Sequence, residues 1–357
     1  MIRYSICGAA SYVGGELLRL LSVHPEAELA HLCANSAAGK QVSQEHPALM
    51  GFYEQEILPM DETSLQRVLE DSDVVFTAVD AGRVSAIARR VLERGKKLID
   101  FGADLRFRSA GIWEHWYHLE HPDHALSREA VYCIPELMRQ EARGKQILAN
   151  PGCYPTASTL ALYPALREGL IQDNSIIIDA KSGYTGAGRR PSQNKLLCEA
   201  AENFCAYALG GSHRHTPEIE QNIAWIQGRD LARPETWQKI NFQPHLSPQA
   251  RGIEVTIYAQ LTRPSSNQEL LELYRKYYQD EPFLRVLPGD RPPQTKWTAG
   301  TNLCCMAATC DSRTGRLILS SVIDNIGKGA AGQAVQNMNL LFGLPETTGL
   351  RFPALYP

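Results

Sequence analysis

The sequence predicts an α/β protein in two parts, a doubly wound parallel sheet followed by an α+β domain with a largely antiparallel sheet. Residues 1–101 alternate strand and helix patterns with short connections, which implies a parallel sheet with helices on both faces. From Gly252 the pattern becomes strict alternation, with Ile253, Val255, Ile257, Ala259 and Leu261 set against Glu254, Thr256, Tyr258 and Gln260. That is the pattern of a sheet with one covered face. A chain of 357 residues also exceeds one ordinary core, so two domains are expected.

The elements follow in order. Ile2–Cys7 reads as a strand, 14–23 as a helix carried by Leu17, Leu18, Leu20 and Leu21, and 28–34 as a second strand. Residues 73–79 and 96–101 read as buried strands with a helix over 84–94 between them. The turn after the first strand, Gly8-Ala9-Ala10-Ser11-Tyr12-Val13-Gly14, holds glycine at both outer positions. Glycine is needed there because the backbone bends tightly and a pyrophosphate approaches the helix N-terminus. Gly8, Ser11, Tyr12, Val13 and Gly14 are therefore candidate dinucleotide contacts on a Rossmann-type domain. The second strand ends in Cys33-Ala34-Asn35-Ser36-Ala37-Ala38-Gly39-Lys40, without the acid that holds a ribose 2′-hydroxyl. Asn35, Ser36 and Lys40 accommodate a 2′-phosphate instead, which favours NADP(H) over NAD.

The central stretch is Ala149-Asn150-Pro151-Gly152-Cys153-Tyr154-Pro155-Thr156. A strand over 145–149 runs into a tight turn, and a helix opens at Cys153, with Pro155 suited to its first turn. Unpaired N–H groups and the helix dipole favour an anion at that position, which lowers a thiol pKa and makes a nucleophile. The helix extends to about Gly169, with Pro164 bending or ending it.

Four further segments carry candidate chemistry. Arg106 follows the strand that ends near Phe101, where a basic side chain meets an anionic substrate. Ser182-Gly183-Tyr184-Thr185-Gly186-Ala187-Gly188-Arg189 follows a strand over 175–180 and suits an oxyanion. His213-Arg214-His215 precedes Thr216-Pro217, which reads as N-cap and N1 of a helix. Histidine titrates near neutral pH and partners a cysteine nucleophile. Asp324–Gly329 opens a last helix over 330–342.

Composition narrows the class. A formal net charge of −3 suggests neither nucleic acid nor an anionic membrane as partner. No apolar run approaches the ~20 residues that span a bilayer. The N-terminus reads straight into a strand, and the nine cysteines match no disulfide framework, so a cytoplasmic protein is expected. His115, His118, His121 and His124 lie three apart, but Pro122 interrupts the helix and no donor set completes a metal sphere. No metal is expected.

Taken together, Gly8–Gly14, the Cys153 flanks, Ser182–Arg189, the His213–Ile219 segment and Lys328–Asn339 come in an order and spacing that closely resembles the N-acetyl-gamma-glutamyl-phosphate reductase family, type 1, over nearly the whole chain. Ser11 departs from the glycine common before the tyrosine. The resemblance implies a small-molecule substrate, N-acetyl-gamma-glutamyl phosphate, reduced by NADPH through a Cys153 thioester in arginine biosynthesis. It implies His213 as acid/base with His215 as the competing choice. Arg106, Ser182, Gly183, Arg189, Tyr207 and His215 become substrate contacts, and Asn325 and Gly329 complete the cofactor site. It also implies a second domain of the glyceraldehyde-3-phosphate dehydrogenase-like type and a homotetramer or homodimer. The cofactor domain then comprises 1–149 and 325–357, and the catalytic and oligomerisation domain 150–324. A related reductase of aspartyl or aminoadipyl phosphate is the nearest alternative, with a non-catalytic NADP-binding sensor behind it and zinc-dependent hydrolysis a distant third.

Overall fold

The computed structural model describes residues 1–355. The chain divides into two units, Met1–Pro151 with Ala330–Arg351, and Gly152–Gly329 with the segment from Phe352.

The first unit is built on a seven-stranded sheet of β1 (Ile2–Cys7), β2 (Ala27–Cys33), β3 (Ile57–Leu58), β4 (Val74–Thr77), β5 (Lys97–Asp100), β6 (Val131–Tyr132) and β7 (Ile147–Ala149). Their order is β3-β2-β1-β4-β5-β7-β6, and every pairing is parallel. The order reverses between β1 and β4, so a crevice opens at their C-terminal ends, where ligands bind in such sheets. The expected periodicity is realised in the helix Tyr12–Leu21, which buries Leu17, Leu18, Leu20 and Leu21.

The last helix, Gly332–Leu341, is buried along its whole length although four of its residues carry side-chain amides. The amides of Gln336, Asn337 and Asn339 find partners in the first unit, which is the condition for burying them. Asn337 Nδ2 donates to Asn150 Oδ1 (3.1 Å) and to the Cys133 carbonyl (3.2 Å). Gln336 Nε2 donates to Glu136 Oε1 (3.0 Å) and Glu346 Oε2 (2.9 Å).

The unit boundaries differ from the expected domain limits. Residues 325–329 belong to the second unit, because Asn325 Oδ1 accepts from the Gly252 amide (2.7 Å) and its Nδ2 donates to Thr185 Oγ1 (2.9 Å). The segment from Phe352 joins them, with the Leu355 amide donating to the Ala299 carbonyl (3.2 Å). Residues 356 and 357 lie outside the described residues.

The second unit carries β8 (Ile177–Ser182), β9 (Cys205–Ala206), β10 (Asn241–Leu246), β11 (Ile253–Gln260), β12 (Leu284–Leu287), β13 (Cys304–Asp311) and β14 (Arg316–Ile323) in the order β12-β13-β14-β11-β8-β10-β9. The sheet is mixed: β8 with β10 and β12 with β13 are parallel, and the other pairings are antiparallel. The helix Cys153–Arg167 packs on β11 and β14, beside the helices Thr216–Ile226 and Asn267–Tyr278.

Pro164 neither ends nor interrupts that helix, which continues to Arg167. A proline lacks the N–H that would bond the carbonyl four residues earlier, here that of Leu160. Tyr278 Oη donates to the Leu160 carbonyl (2.6 Å), and Tyr274 Oη donates to the Ala161 carbonyl (2.7 Å). Packing thus replaces the lost backbone bond.

Candidate active site

The helix bearing Cys153 has Gly152 as its N-cap, with a β-region backbone. Gly152 brings no capping side chain, and its own amide donates to Glu218 Oε1 (2.8 Å). Thr156 Oγ1 returns a bond to the Gly152 carbonyl (2.9 Å). Glu218 is fully buried in the first turn of Thr216–Ile226, so this carboxylate links two helix N-termini. Glu218 is not among the functional residues expected from the sequence. Its signal was an acid in the first turn of a helix beginning immediately after the histidine segment.

Helix Thr216–Ile226 starts one residue earlier than expected. His215 is the N-cap and Pro217 falls at N2, because the Ile219 amide donates to the His215 carbonyl (3.0 Å). The shift leaves the His215 amide to donate to His213 Nδ1 (3.0 Å). A backbone N–H only donates, so Nδ1 holds a lone pair and the proton of the neutral ring is on Nε2. Nε2 lies 3.4 Å from Tyr207 Oη, which lies 3.3 Å from Tyr154 Oη. His213 packs edge-on against Tyr154, Tyr207, His215 and Phe242. Burial, followed by repulsion from His215, pushes the His213 pKa down to about 3, with Glu218 opposing. The ring is neutral at physiological pH.

Cys153 is half-buried and acts electrostatically on both phenols. Burial raises the Tyr207 pKa to about 12 and raises that of Tyr154 further. The fold therefore gathers Cys153 and Tyr154 with Tyr207, His213 and His215, two segments more than fifty residues apart in sequence, in one cluster. Tyr154 was missed as a partner because sequence adjacency to Cys153 does not reveal which way its ring points. Ser182 is buried and donates to the Gly183 carbonyl (3.0 Å), and its hydroxyl also reaches Tyr154. A Cβ on Gly183 would lie 2.7 Å from the Ala250 carbonyl oxygen, so only glycine fits there. Arg189 lies on the exposed part of this loop. A surface hollow of about 430 Å³ lined by Leu166, Arg167, Ile171, Asp173, Ile226 and Gln227 lies at the far end of the Cys153 helix and includes none of the cluster.

In the first unit, Gly8 adopts φ +99° at the end of β1, and a Cβ there would lie 2.2 Å from the Ala78 carbonyl oxygen. Ser11 caps the helix Tyr12–Leu21, its Oγ accepting from the Gly14 amide (2.9 Å). A Cβ on Gly14 would lie 2.5 Å from the Ala9 carbonyl oxygen. This compressed turn, opening a helix at the switch point of the sheet, fits a dinucleotide pyrophosphate. Asn35, Ser36 and Lys40 lie exposed beyond β2. Asn35 Oδ1 accepts from the Met60 amide (2.7 Å), and Lys40 Nζ pairs with Glu45 (3.1 Å). Arg106 is buried and donates through Nη2 to the Phe101 carbonyl (2.7 Å). Asn325 spends both ends of its amide inside the second unit, as described above. Two of the spaced histidines bind carbonyls, His121 Nε2 that of Asp104 (2.7 Å) and His124 Nε2 that of Arg108 (3.1 Å).

Asp100, at the end of β5, is fully buried, and its Oδ2 has no hydrogen-bond partner among the described residues. Burial pushes its pKa up to about 6, against bonds from the Gly102 amide and Thr77. The folded carboxyl thus keeps its proton to higher pH than the unfolded one. Its contribution is present below the unfolded pKa near 4 and lost as pH rises through 6. Asp100→Asn removes this slope. Urea unfolding should show the variant gaining on the parent by about 2–3 kcal/mol between pH 4 and 7. An identical pH slope in both proteins would contradict the assignment.

Residues 3–145 match the family model described as semialdehyde dehydrogenase, NAD binding domain, and residues 153–325 the one described as semialdehyde dehydrogenase, dimerisation domain. The chain is 48% identical to the N-acetyl-gamma-glutamyl-phosphate reductase of Pelotomaculum thermopropionicum, over 100% of this chain and 99% of that protein. It is 50% identical to that of Desulforudis audaxviator, with 100% of both covered. Among solved structures it superposes on aspartate semialdehyde dehydrogenase II from Vibrio cholerae with a TM-score of 0.70 at 16% identity, covering 96% of this chain and 99% of that one. It also superposes on the aspartate semialdehyde dehydrogenase with NADP from Candida albicans, with a TM-score of 0.66 at 17% identity, covering 95% and 98%. At those identities the superpositions establish the shared α/β fold. Among the described residues no helix is long and apolar enough to cross a membrane.

Proposed function

The chain belongs to the N-acetyl-gamma-glutamyl-phosphate reductase family, and from that premise we propose how its residues reduce N-acetyl-gamma-glutamyl phosphate to N-acetylglutamate semialdehyde and phosphate in arginine biosynthesis. The observation that carries the mechanism is the thiol of Cys153 on a helix N-terminus, beside Tyr207 and the His213 ring.

Cys153 sulfur attacks the acyl carbon. A sulfur–carbon bond forms, the carbon–oxygen bond to phosphate breaks, and the acyl group is held as a thioester. Cys153 attacks as the thiolate that its helix N-terminus favours, so no base takes a proton in that step. His213, whose Nδ1 is occupied by the His215 amide, works as the acid through its Nε2–H, hydrogen-bonding the oxygens that gain charge. Tyr207 and Tyr154 stay protonated; the Tyr207 hydroxyl orients the imidazole, and the Tyr154 hydroxyl lies against that of Tyr207. Ser182, Gly183 and Arg189 offer hydrogen bonds and charge to the anionic substrate, and Arg106 is a further contact. Gly8, Ser11, Tyr12, Val13 and Gly14 hold NADP(H), with Asn35, Ser36 and Lys40 toward the 2′-phosphate. When bound, NADPH supplies the hydride; the chain's own part is to present the acyl group on sulfur and to release the aldehyde as the sulfur–carbon bond breaks. The absence of a carboxylate at the end of β2 supports NADP over NAD. We read the protein as a cytoplasmic homotetramer or homodimer; the match to a family model named for dimerisation supports an oligomer.

The reading is tested in the reverse direction with purified protein, N-acetylglutamate semialdehyde, phosphate and NADP, following NADPH absorbance. Turnover with this aldehyde, and higher catalytic efficiency with NADP than with NAD, is expected. Turnover only with aspartate semialdehyde would reassign the substrate. In the same assay His213→Asn should lower kcat by about 10²–10⁴-fold, more than His215→Asn does. The opposite order would make His215 the proton carrier.

A further inference from the structure

We propose that Asp324 is a positioning residue for the Cys153 thiol, acting through the backbone of Gly329. This rests on the reading of Cys153 as the nucleophile.

Asp324 has no solvent exposure, and its carboxylate collects four donors. Oδ2 accepts from Arg251 Nε (2.9 Å) and the Gly300 amide (2.6 Å). Oδ1 accepts from the amides of Ile326 (3.0 Å) and Gly327 (2.9 Å). The side chain thereby folds the turn that follows it. The Asp324 carbonyl accepts from the Gly329 amide (2.9 Å), a five-residue closure that leads into the π-helical segment Gly327–Ala331.

That closure sets Gly329 directly against the thiol residue. A Cβ on Gly329 would lie 2.7 Å from Cys153 Cβ and 3.2 Å from Cys153 Cα. Real side chains do not approach so closely, and the atoms in the way are at the root of Cys153, where no rotamer change relieves the overlap. A Cβ on Gly327 would lie 2.4 Å from the Thr301 carbonyl oxygen, so the turn is confined on that side too. Gly329 therefore forms one wall of the Cys153 site, and Asp324 holds the wall in place. A buried carboxylate with four donors resists isosteric replacement. The amide of asparagine would turn an N–H toward donors that need an acceptor.

The test reads the sulfur itself, in the absence of NADP(H). Iodoacetamide alkylation of Cys153 is followed by peptide mass spectrometry from pH 6 to 9, with exposed Cys198 as internal reference. Gly329→Ala should change the Cys153 rate at least about tenfold and move its pH profile, while the Cys198 rate stays constant; kcat should fall more than KM rises. Asp324→Asn should change the Cys153 rate in the same direction, and the double variant should add little, because both act along one route. If Asp324→Asn does not fold, Arg251→Gln, which leaves the carboxylate its three amides, should show a smaller change of the same sign. A parental alkylation profile in Gly329→Ala, or additive effects in the double variant, would overturn the proposal. Alkylation reports the position of the sulfur whether or not the enzyme uses it. Activity surviving in Cys153→Ser would overturn the nucleophile and leave this inference to be judged on alkylation alone.

Discussion

Cys153→Ser is expected to abolish turnover, with kcat/KM lowered by at least about 10³-fold, while the protein stays folded and binds NADP(H) as before. A serine hydroxyl has about the size of the thiol but keeps its proton at neutral pH, and no helix terminus compensates for that difference. The supports of the helix do not involve the sulfur. Gly152 remains bonded to Glu218 and Thr156 to the Gly152 carbonyl, so the unfolding midpoint should stay close to the parent's. Intact-mass spectrometry of parental enzyme mixed with acyl phosphate, without NADPH, should show the acyl adduct, and the serine variant should show none. A variant that turns over at the parental rate would remove the covalent step. A variant that unfolds at a much lower temperature would instead give Cys153 a structural role.

The second large effect is expected at Gly8. Gly8→Ala places a Cβ 2.2 Å from the Ala78 carbonyl oxygen and 2.8 Å from its carbonyl carbon, at a φ of +99° that side chains rarely adopt. Backbone strain and overpacking each cost about 1–3 kcal/mol, so a loss of roughly 2–6 kcal/mol is expected. The contact joins β1 to the end of β4 across the crevice, and the compression cannot be relieved without parting the two central strands. Calorimetry should show the transition of the first unit lowered by roughly 5–15 °C. NADP(H) affinity, read by quenching of protein fluorescence, should fall with it, because the same turn presents the helix N-terminus. Parental values in both measurements would mean that the turn relaxes freely and that its glycine is not required.

Much of the molecule was legible in the order of residues. β1 forms over the residues expected of it, and the helix Tyr12–Leu21 buries the four leucines that announced it. Strand β11 keeps the alternation of Ile253, Val255, Ile257 and Ala259 inside against half-buried partners. Local signals of this kind survive folding because each is a periodicity that one face of one element satisfies. What was not legible there was decided by where a side chain points, which the order of residues does not give. Pro164 sits inside a continuous helix because Tyr274 and Tyr278, more than a hundred residues later, take carbonyls of the preceding turn. The helix after the histidines begins at Thr216 with His215 as its N-cap, and the His213 ring accepts the His215 amide.

The site divides in the same way. Cys153 at a helix start, the glycine turn after β1 and a histidine pair before a helix are local motifs, and the sequence by itself determined them together with the fold class and the family. Tertiary structure alone decided that His213 holds its proton on Nε2, that Glu218 bonds the Gly152 amide, and that Gly329 lies against Cys153. Each of these depends on the distance between atoms 2 to 176 residues apart, and the second and third on groups that must be buried before they interact strongly. A sequence specifies which groups are present, whereas packing removes the water between them and so sets which proton, charge and contact each one keeps.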